Sequence, residues 1–302
     1  MKNFMKQLVF IIFAVLIGFI LTSCLLLGQW SALPVIDMVY VSAGSFELGR
    51  NLGTGGGNHS NPMSTVNISS FHIGKYPITQ EQYQIVMRIN PSYFHGGSER
   101  EPAEGEVQKR RPVECVSWYD AIVFCNRLSI MEGLTPAYSI SGRTNPDDWG
   151  KVPESNNTTW NAVQIVSGST GYRLPTEAQW EYAAKGGNGS PGNFTYSGSD
   201  DPDAVAWYFK SIGGSTHEVG KKAPNGLGIY DMSGNISEWC WDWSGNYTNE
   251  EKTDPMGPSS GSTRIRRGGS WLNIDLDVRS AHRDRYGPHI RFVNTGFRVS
   301  RP

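Results

Sequence analysis

Short alternations of apolar and polar residues near the start of the chain predict strands. Residues 38–49 alternate on both sides of a glycine, as in two strands joined by a turn, and residues 50–64 form a loop rich in glycine and asparagine. Residues 133–171 carry short apolar pairs among Asn, Asp, Pro and Thr, which indicates an inserted hairpin or long loops inside one domain. The pattern predicts a fold in which turns outnumber helices.

Two segments have the spacing and the capping residues of short helices. Residues 79–88 follow a proline, begin with Thr79 as a candidate N-cap and place their apolar residues on one face. Residues 117–128 repeat this arrangement, because Ser117 is a candidate N-cap and Asp120 follows three residues later, the spacing of a capping box. We therefore expect two main helices.

The last stretch of the chain follows neither the strand period nor the helix period. Glycine, tryptophan and arginine recur in the motifs RGGSW at 267–271 and GFR at 296–298. Between the motifs, apolar, acidic, basic and aromatic residues neither alternate as in a strand nor repeat as in a helix. Such a mixture is typical of a binding surface, and the candidate ligand-binding residues are Leu272, Asn273, Ile274, Asp277, His282, Asp284, Arg285, Tyr286, His289, Ile290, Phe292, Val293 and Asn294.

Composition and charge narrow the class of protein. The 302 residues are 38% hydrophobic, which is enough to supply a buried core. The 35 glycines and 10 tryptophans favour a loop-rich fold held by aromatic packing. The net charge of -1 lacks the basic field that nucleic-acid backbones require, so we expect no nucleic-acid partner.

The first residues have the features of a targeting segment. Two lysines precede an apolar run over residues 8–21, and the sequence LTSC at 21–24 resembles a bacterial lipobox. In that class a diacylglyceryl group is attached to the cysteine, so the resemblance implies a signal peptide over residues 1–23 and lipid attachment at Cys24. An uncleaved signal anchor is the alternative, because the apolar run approaches the length of a membrane-spanning helix.

A lipid anchor at this position leaves a tether over residues 24–35 and one folded domain over residues 36–302. The acyl chains would hold the protein on a membrane. Leu25 replaces the aspartate that, in the resembled class, tends to retain lipoproteins at the inner membrane. We therefore expect an outer-membrane lipoprotein at the bacterial cell surface.

Three cysteines remain in the expected mature chain, an odd number for an exported protein. Cys115, Cys125 and Cys240 lack the CxxC or Cys/His spacing of a zinc site, so we expect them to be small buried hydrophobic residues. A disulfide between Cys115 and Cys125 is the main alternative. It is disfavoured if the two lie at opposite ends of one helical segment, since ten helical residues span roughly 15 Å.

Five motifs occur in an order that resembles one enzyme family, and they are PVECVSWYDA at 112–121, GYRLPTEAQWEYAA at 171–184, NGLGIYDMSGNISEW at 225–239, RGGSW at 267–271 and GFR at 296–298. They are similar to the formylglycine-generating-enzyme, or sulfatase-modifying factor, family over roughly residues 36–302. The resemblance implies an α+β fold that is C-type-lectin-like and formylglycine-generating-enzyme-like, with small antiparallel sheets, two main helices and many ordered loops.

The resemblance does not carry the enzyme's chemistry over to this chain. The generating enzymes need a pair of cysteines shortly after the Gly-Gly-Ser motif, whose thiolates bind copper, and no cysteine follows Cys240 here. An iron-dependent relative would need a histidine-rich site, and His282 and His289 lack the carboxylate–histidine spacing that supports one. We predict no enzyme activity and no required cofactor; the alternative is a metal-dependent oxidase or a maturation factor of the same fold.

The final segment also resembles the variable region of proteins diversified by retroelements, which use a C-type-lectin fold as scaffold. In such proteins reverse transcription miscopies template adenines and randomises asparagine codons. Changes at the adenines of an AAC codon give Leu, Ile, Val, Phe, Tyr, His, Asp, Arg or Asn but not Lys, Glu, Gln, Met or Trp, and the candidate positions hold only the first set. The resemblance implies a variable region at about 271–294 that binds an extracellular ligand, which we expect to be a protein.

A variable face needs a frame that folds whatever residues it displays. We expect Gly268 and Gly269 to let two backbone segments approach closely, and Trp271 to fill space in the packing. We expect forked hydrogen bonds to carbonyls and carboxylates from four arginines, which are Arg279, Arg283, Arg291 and Arg298. We expect recognition of the ligand by residues of the types common in binding hot spots, which are Tyr286, Phe292, His289 and Arg285. Asp277 and Asp284 would pair with cations of a partner or keep the face soluble.

One further loop offers ligands for a hard cation. Asp231, Asn235 and Glu238 carry side-chain oxygens, and the corresponding loop binds calcium in the resembled enzymes. Turn formation and helix capping explain the same residues without an ion. We therefore expect at most a structural calcium ion here.

Overall fold

Short strands in small sheets make up most of the regular structure, and helices pack between them. The computed structural model describes residues 33–50, 63–97, 100–187, 193–211 and 214–302. The predicted signal peptide, the lipid-attachment residue Cys24 and most of the predicted tether lie outside the described residues. Within those ranges no helix combines the length and the apolar character needed to cross a membrane.

The strands are β1 Met38–Val41, β2 Gly44–Leu48, β3 Ser64–Ile68, β4 Phe71–Gly74, β5 Tyr138–Ser139, β6 Gln164–Ile165, β7 Ser237–Trp243, β8 Lys252–Thr253, β9 Arg264–Arg267, β10 Arg283–Tyr286, β11 Thr295–Gly296 and β12 Ser300–Arg301. They form sheets with the orders β1-β4-β12, β10-β9-β7-β11, β2-β3-β8 and β5-β6. The expected α+β class with small sheets is confirmed. The expectation that all sheets are antiparallel is wrong, because β8 runs parallel to β3 and β11 runs parallel to β7. In both pairs a long stretch of chain separates the strands, which leaves room for a parallel connection.

The first two strands do not form the predicted hairpin. β1 pairs with β4 and β2 pairs with β3, so the chain leaves one sheet at Val41 and enters another at Gly44. A two-residue hairpin turn of the favoured kinds requires positive φ angles, and neither Ser42 nor Ala43 has one. The two strands are therefore confirmed, and the pairing between them is wrong.

The helices are α1 Gln80–Met87, α2 Trp118–Met131, α3 Thr158–Asn161, α4 Glu177–Ala184 and α5 Pro202–Val205. The two predicted helices correspond to α1 and α2, and Thr79 and Ser117 are their N-caps. Each cap side chain accepts the backbone N–H of the third helical residue, which satisfies a group that a helix start leaves unpaired. Helix α2 continues past its predicted end at Leu128.

The expectation of two main helices is wrong, because α4 is a third helix of eight residues. It follows the N-cap Thr176, and every one of its residues is buried. A helix that is buried all round has no polar face, so its sequence lacks the contrast of period 3.6 that marks a surface helix. The sequence carries one local signal for α4, the capping box that Thr176 forms with Gln179, and the prediction missed it.

The insert at residues 133–171 contains the β5–β6 hairpin, an antiparallel pair, as predicted. A 3-10 turn at Pro146–Trp149 and the short helix α3 lie between its two strands. The insert packs on α2, since Tyr138 and Trp160 belong to the same core as that helix. It is therefore part of the domain and not a separate unit.

Two aromatic-rich cores hold these elements together. Helix α2 contributes Trp118 and Phe124 to one core, and α4 contributes Trp180 and Tyr182 to the other. Strand β9 lies between β7 and β10 and packs on α4. The arginine-rich strand β9 is thereby placed directly beside the C-terminal segment that contains the candidate binding residues.

Candidate ligand-binding face

All the candidate ligand-binding residues reach the protein surface. Leu272, Ile274, Arg285 and Tyr286 are exposed, and the others are half-buried. By contrast, residues 264–270 and 295–300, which contain all of the flanking motifs except the half-buried Trp271, are buried throughout. The contrast in the sequence between motifs and unpatterned positions therefore coincides with a contrast in burial.

Arg298 is the most enclosed of the predicted frame arginines. Its Nε donates to Oε2 of Glu238 at 2.6 Å and its Nη2 donates to Oε1 at 2.8 Å, a forked ion pair with no solvent exposure of either side chain. Further donors reach the backbone carbonyls of Gly74 and Tyr230, both at 2.9 Å. The predicted bonds to a carboxylate and to carbonyls are confirmed, and they tie the GFR motif to β7 and to the end of β4.

Two other frame arginines bind carboxylates in the first turns of helices. Arg283 Nε donates to Glu177 Oε1 in α4 at 2.8 Å. Arg291 donates from Nε and Nη2 to the carboxylate of Asp120 in α2, at 2.8 and 3.1 Å. Arg279, the fourth frame arginine, is buried. The C-terminal segment is therefore bound to the starts of two helices.

The glycine pair of the RGGSW motif allows two backbone segments to touch. Gly268 and Gly269 have positive φ angles of 89° and 65°. A Cβ on Gly269 would lie 2.5 Å from the carbonyl oxygen of Asp277, so the predicted close approach is confirmed. Trp271, predicted to supply packing volume, contacts Phe94 edge to face with 5.4 Å between the ring centroids.

Arg266 is the centre of the face, although it is not among the residues predicted from the sequence. Its Nη2 donates to Oδ2 of Asp284 at 2.6 Å. Its guanidinium carbon lies 4.2 Å from the ring centroid of Tyr286 and 5.3 Å from that of Phe292. The two rings touch edge to face at 4.9 Å. The signal in the sequence was the run RIRR directly before the glycine pair, which places several arginines on one short strand.

Hydrogen bonds extend from this centre along the segment. Arg266 also donates to the hydroxyl of Thr295. That hydroxyl donates to Oδ1 of Asn294 at 3.3 Å, and Asn294 Nδ2 donates to the hydroxyl of Ser270 at 3.0 Å. The half-buried candidate residue Asn294 therefore shares one chain of hydrogen bonds with buried residues on both sides of it.

The same chain of contacts continues beyond Ser270. Its hydroxyl donates to Oδ1 of Asn273 at 2.6 Å, and Asn273 Nδ2 lies 3.3 Å from Oδ2 of Asp277. Asp277 Oδ1 in turn lies 3.8 Å from Nδ1 of His282. The structure thus brings together the candidates Asp284, Tyr286, Phe292, Asn294, Asn273, Asp277 and His282, which we call the central set.

Other candidates lie outside the central set. Side chains alternate along a strand, so Arg285 points to the other side of β10, where its Nη1 is 3.5 Å from the hydroxyl of Ser244. His289 is half-buried, and its Nδ1 has no hydrogen-bond partner among the described residues. Ile290 and Val293 are half-buried, and the carbonyl of Val293 accepts a hydrogen bond from the indole of the RGGSW motif at 3.4 Å.

An apolar rim borders the central set beside Asn273. Leu272 and Ile274 are 51% and 48% exposed. Phe209, which lies outside the predicted variable region, is 66% exposed, and its backbone N–H donates to the carbonyl of Asn273 at 2.8 Å. A single aromatic residue in a loop carries no sequence signal, so only the folded chain shows that Phe209 adjoins the face.

The cysteines within the described residues are free thiols, so the alternative disulfide is absent. Cys125 and Cys240 are buried, as predicted, but Cys115 is half-buried and precedes α2. Burial raises the pKa of the Cys115 thiol to about 12 and also raises the pKa values of Cys125 and Cys240. Because the thiolate is the reactive form of cysteine, none of the three is in its reactive form at neutral pH.

The loop considered for calcium is held by protein donors. Asp231 accepts the backbone N–H of Gly220 at 2.8 Å and lies 3.3 Å from Nδ2 of Asn235. Glu238 is occupied by Arg298, so neither carboxylate presents an open pair of oxygens. Across the described ranges, no group of three or more His, Cys, Asp or Glu residues could hold a metal ion. A structural calcium ion therefore stays a prediction.

Comparison with known proteins places the chain in a family. Residues 27–302 match the sulfatase-modifying factor enzyme 1-like domain of the FGE-sulfatase family. The chain belongs to this family. The match covers the whole C-terminal face together with its frame, so the resemblance inferred from the five motifs is confirmed.

Three relatives differ in the activities that their names describe. The chain is 40% identical to the chaperone protein LppX of Paenibacillus barcinonensis, over 98% of this chain and 99% of that protein. It is 39% identical to the solved structure of Treponema denticola variable protein 1, with a TM-score of 0.79 over 88% of this chain and 95% of the other. It is 27% identical to the formylglycine-generating enzyme of Thermomonospora curvata, over 87% of this chain and 92% of the enzyme.

These similarities confirm the expected C-type-lectin-like α+β fold and the resemblance to a variable protein. Because one relative is named as an enzyme, one as a variable protein and one as a chaperone, family membership alone does not give the activity. Function depends on the residues placed on a fold. The function therefore has to be inferred from the residues of the C-terminal face.

Proposed function

We propose that this protein binds an extracellular protein through its C-terminal face, residues 271–294, and that it does so without catalysis. One observation carries the proposal: every candidate position of the segment reaches the surface, while the flanking motifs, apart from Trp271, are buried. A binding site that changes its side chains needs most of its packing to come from constant buried residues, so that folding depends only weakly on the residues that vary. The similarity to a treponemal variable protein supports a variable ligand-binding role.

The chemistry of the face suits a protein ligand. Tyr286 and Phe292 meet edge to face over the guanidinium of Arg266, and aromatic and arginine side chains dominate binding hot spots. Rings that are already packed lose little side-chain freedom on binding. Leu272 and Ile274 add apolar area that a partner would remove from water.

The proposed lack of catalysis rests on the thiols of the chain. Cys115 adjoins the face, since its backbone N–H donates to the carbonyl of Phe292 at 2.9 Å. Its raised pKa keeps it protonated, and no cysteine follows Cys240 in the sequence. The segment after the Gly-Gly-Ser motif therefore lacks the sulfur atoms that the generating enzymes use. The metal-dependent oxidase draws no support from the described residues.

We further propose that Cys24 carries a lipid anchor that displays the domain at the outer surface of a bacterial cell. The lipobox-like sequence at 21–24 supports this. Cys24→Ser should release the protein from membranes and abolish lipid labelling. Lipid labelling that persists in this variant would refute the assignment.

A second candidate function is that of a chaperone or maturation factor that binds a protein client. The similarity to chaperone protein LppX over nearly the full length of both chains favours it. The two functions differ in whether the bound protein is folded. A surface receptor binds a folded partner, whereas a chaperone prefers a client before folding is complete.

Capture of extracellular and cell-surface proteins tests the proposed face. The double variant Tyr286→Ala/Phe292→Ala should lose a partner that wild type retains. Tyr40→Ala is the matched control, because Tyr40 is also an exposed aromatic residue but lies on β1. Identical capture by all three proteins, each shown to be folded, would contradict the proposal. Competition by the unfolded form of the captured protein, and not by its native form, would favour the chaperone.

Retroelement diversification has a separate genetic test. It requires a near-copy of the coding segment for residues 271–294 that has asparagine codons at the candidate positions. It also requires a reverse transcriptase gene nearby. Absence of both would remove diversification from the proposal and leave a fixed binding face.

A further inference from the structure

A cavity of about 440 Å³ lies beside α4, the end of β7 and the loop that follows β7. This volume falls within the roughly 300–1,000 Å³ range of small-ligand pockets. Most of its wall is apolar, including Leu48, Val66, Ala178, Trp243 and Met256. Arg283, a frame residue of the C-terminal segment, lines it, but none of the candidate binding residues does, so it is a different site from the one proposed above.

Asp242 is a wall residue whose hydrogen bonding is incomplete. It is 4% exposed, and its Oδ2 accepts the backbone N–H of Glu177 at 2.7 Å. No described residue donates to its Oδ1. Gly257 leaves this oxygen uncovered, because a Cβ at that position would lie 3.1 Å from it. Oδ1 is not among the enclosed side-chain atoms that lack a partner, so it is open to the cavity and can accept a hydrogen bond from a ligand there.

The other carboxylate of the wall is already satisfied. Glu177 accepts Arg283 Nε at 2.8 Å and the hydroxyl of Tyr247 at 2.9 Å, and it lies 3.7 Å from Arg267. The positive charge of Arg283 is compensated by its ion pair with Glu177. Lys252, the remaining cation of the wall, has a flexible stem that allows its ammonium to reach water. The polar feature left for a ligand is the open oxygen of Asp242.

We propose that this cavity binds a small organic amine, whose ammonium group donates to Oδ1 of Asp242 and whose apolar body packs against Trp243 and Met256. An ammonium group supplies the missing donor and also favours the ionised carboxylate that burial disfavours. An alcohol of the same shape supplies only a neutral hydrogen bond. A carboxylate of the same shape supplies no donor and adds a like charge.

Calorimetric titration with phenethylamine tests the site, with 2-phenylethanol and phenylacetate as neutral and anionic probes of matched shape. At pH 8 the wild type should bind phenethylamine at least tenfold more tightly than either of the other probes. Asp242→Asn keeps an acceptor for the Glu177 N–H and should abolish this preference. The control Asp147→Asn changes an exposed carboxylate outside the cavity and should retain it. Equal affinity of the wild type for all probes, or a preference that survives Asp242→Asn, would overturn the proposal.

Met256→Ala keeps the proposal testable if Asp242→Asn does not fold. Met256 is 41% exposed, so its truncation should not prevent folding. Phenethylamine should bind this variant at least threefold more weakly, because apolar contact is lost, while the preference over 2-phenylethanol should persist. Unchanged affinity for phenethylamine would place the amine elsewhere and would overturn the assignment of this cavity. Neither outcome depends on the C-terminal face.

Discussion

Arg266 and Asp284 form an ion pair across neighbouring strands, with 2.6 Å between Nη2 and Oδ2. They are direct partners in the antiparallel register of β9 and β10. The side chain of Arg266 is 5% exposed and that of Asp284 is 41% exposed. A residue predicted to vary is therefore the partner of a buried charge in the frame. The stability of the frame depends in part on what that position displays.

Replacing Asp284 by alanine should lower the free energy of unfolding by about 1–2 kcal/mol, because the guanidinium of Arg266 loses its charged partner while largely buried. The partial exposure of Asp284 lets water replace some of the lost interaction, which limits the effect. The neighbouring change Arg285→Ala is the control and should stay within about 0.5 kcal/mol, since this side chain is exposed. Urea unfolding measures both. Equal losses at the two positions would contradict the dependence of Arg266 on Asp284.

Arg298→Ala should be far more damaging, by about 3–5 kcal/mol, because it leaves Glu238 as an unpaired charge in a fully buried site. Arg291→Ala removes a pair whose side chains retain 30% and 12% exposure and should cost less. Urea unfolding of the two variants compares how much each arginine contributes to the free energy of unfolding. An Arg298→Ala protein as stable as Arg291→Ala would show that the buried pair contributes little.

Sequence patterns predicted the parts of the fold that depend on neighbouring residues. Thr79 and Ser117 cap helices through contacts three residues away, so their sequence context contains the whole interaction. The pairing of β1 with β4 depends on a partner strand far along the chain. Helix α4 lacks the period of a surface helix because it is buried on every side, and its one local signal is the capping box of Thr176 with Gln179.

The same distinction applies to the binding face. Its unpatterned positions could be selected from the sequence, because exposure is what frees a position from the helix and strand periods. Arg266 could not, since its partners Asp284, Tyr286 and Phe292 are joined to it only when β10 pairs with β9. Phe209 adjoins the face through one long-range backbone hydrogen bond, which no local pattern encodes.

Gly269→Ala should destabilise the protein by at least about 2 kcal/mol more than Gly133→Ala. Both glycines have positive φ, 65° and 70°, so alanine costs about 1–2 kcal/mol of backbone strain at either position. At Gly269 the new Cβ would also lie 2.5 Å from the carbonyl oxygen of Asp277, whereas nothing lies within 4 Å at Gly133. Thermal and urea unfolding measure the loss of stability in both variants. The excess loss in Gly269→Ala gives the cost of the steric clash, because the backbone strain is common to both. Equal destabilisation would mean that the backbone at Asp277 moves away freely.

Cys115 should react with iodoacetamide at pH 7.5 at least about a hundredfold more slowly than free cysteine. Its pKa of about 12 leaves little thiolate, compared with a free thiol of pKa about 8.5. Cys125 and Cys240 are buried and should react only after unfolding. Mass spectrometry of native and urea-unfolded protein measures all three. Rapid labelling of native Cys115 would reveal an activated thiol and would favour the enzyme alternative.

Asp242 should make the protein less stable as the pH rises from about 4 to about 7. Burial, together with the negative charge of Glu177, raises the pKa of Asp242 from its ordinary value to about 7 in the folded state. Between the ordinary pKa near 3.9 and this value, the folded chain keeps a proton that the unfolded chain has lost. The stabilising contribution is therefore complete below pH 4 and disappears as the pH rises through 7.

Comparison of the wild type with Asp242→Asn isolates this contribution, because the other titrating groups are common to both proteins. Burial also raises the pKa of Asp231, to about 6, and this group adds its own loss of stability over an overlapping range in both. The difference in unfolding free energy should therefore shift in favour of Asp242→Asn between pH 4 and pH 8. A difference that does not change with pH would mean that the pKa of Asp242 is the same in the folded and the unfolded chain, and would contradict the raised value.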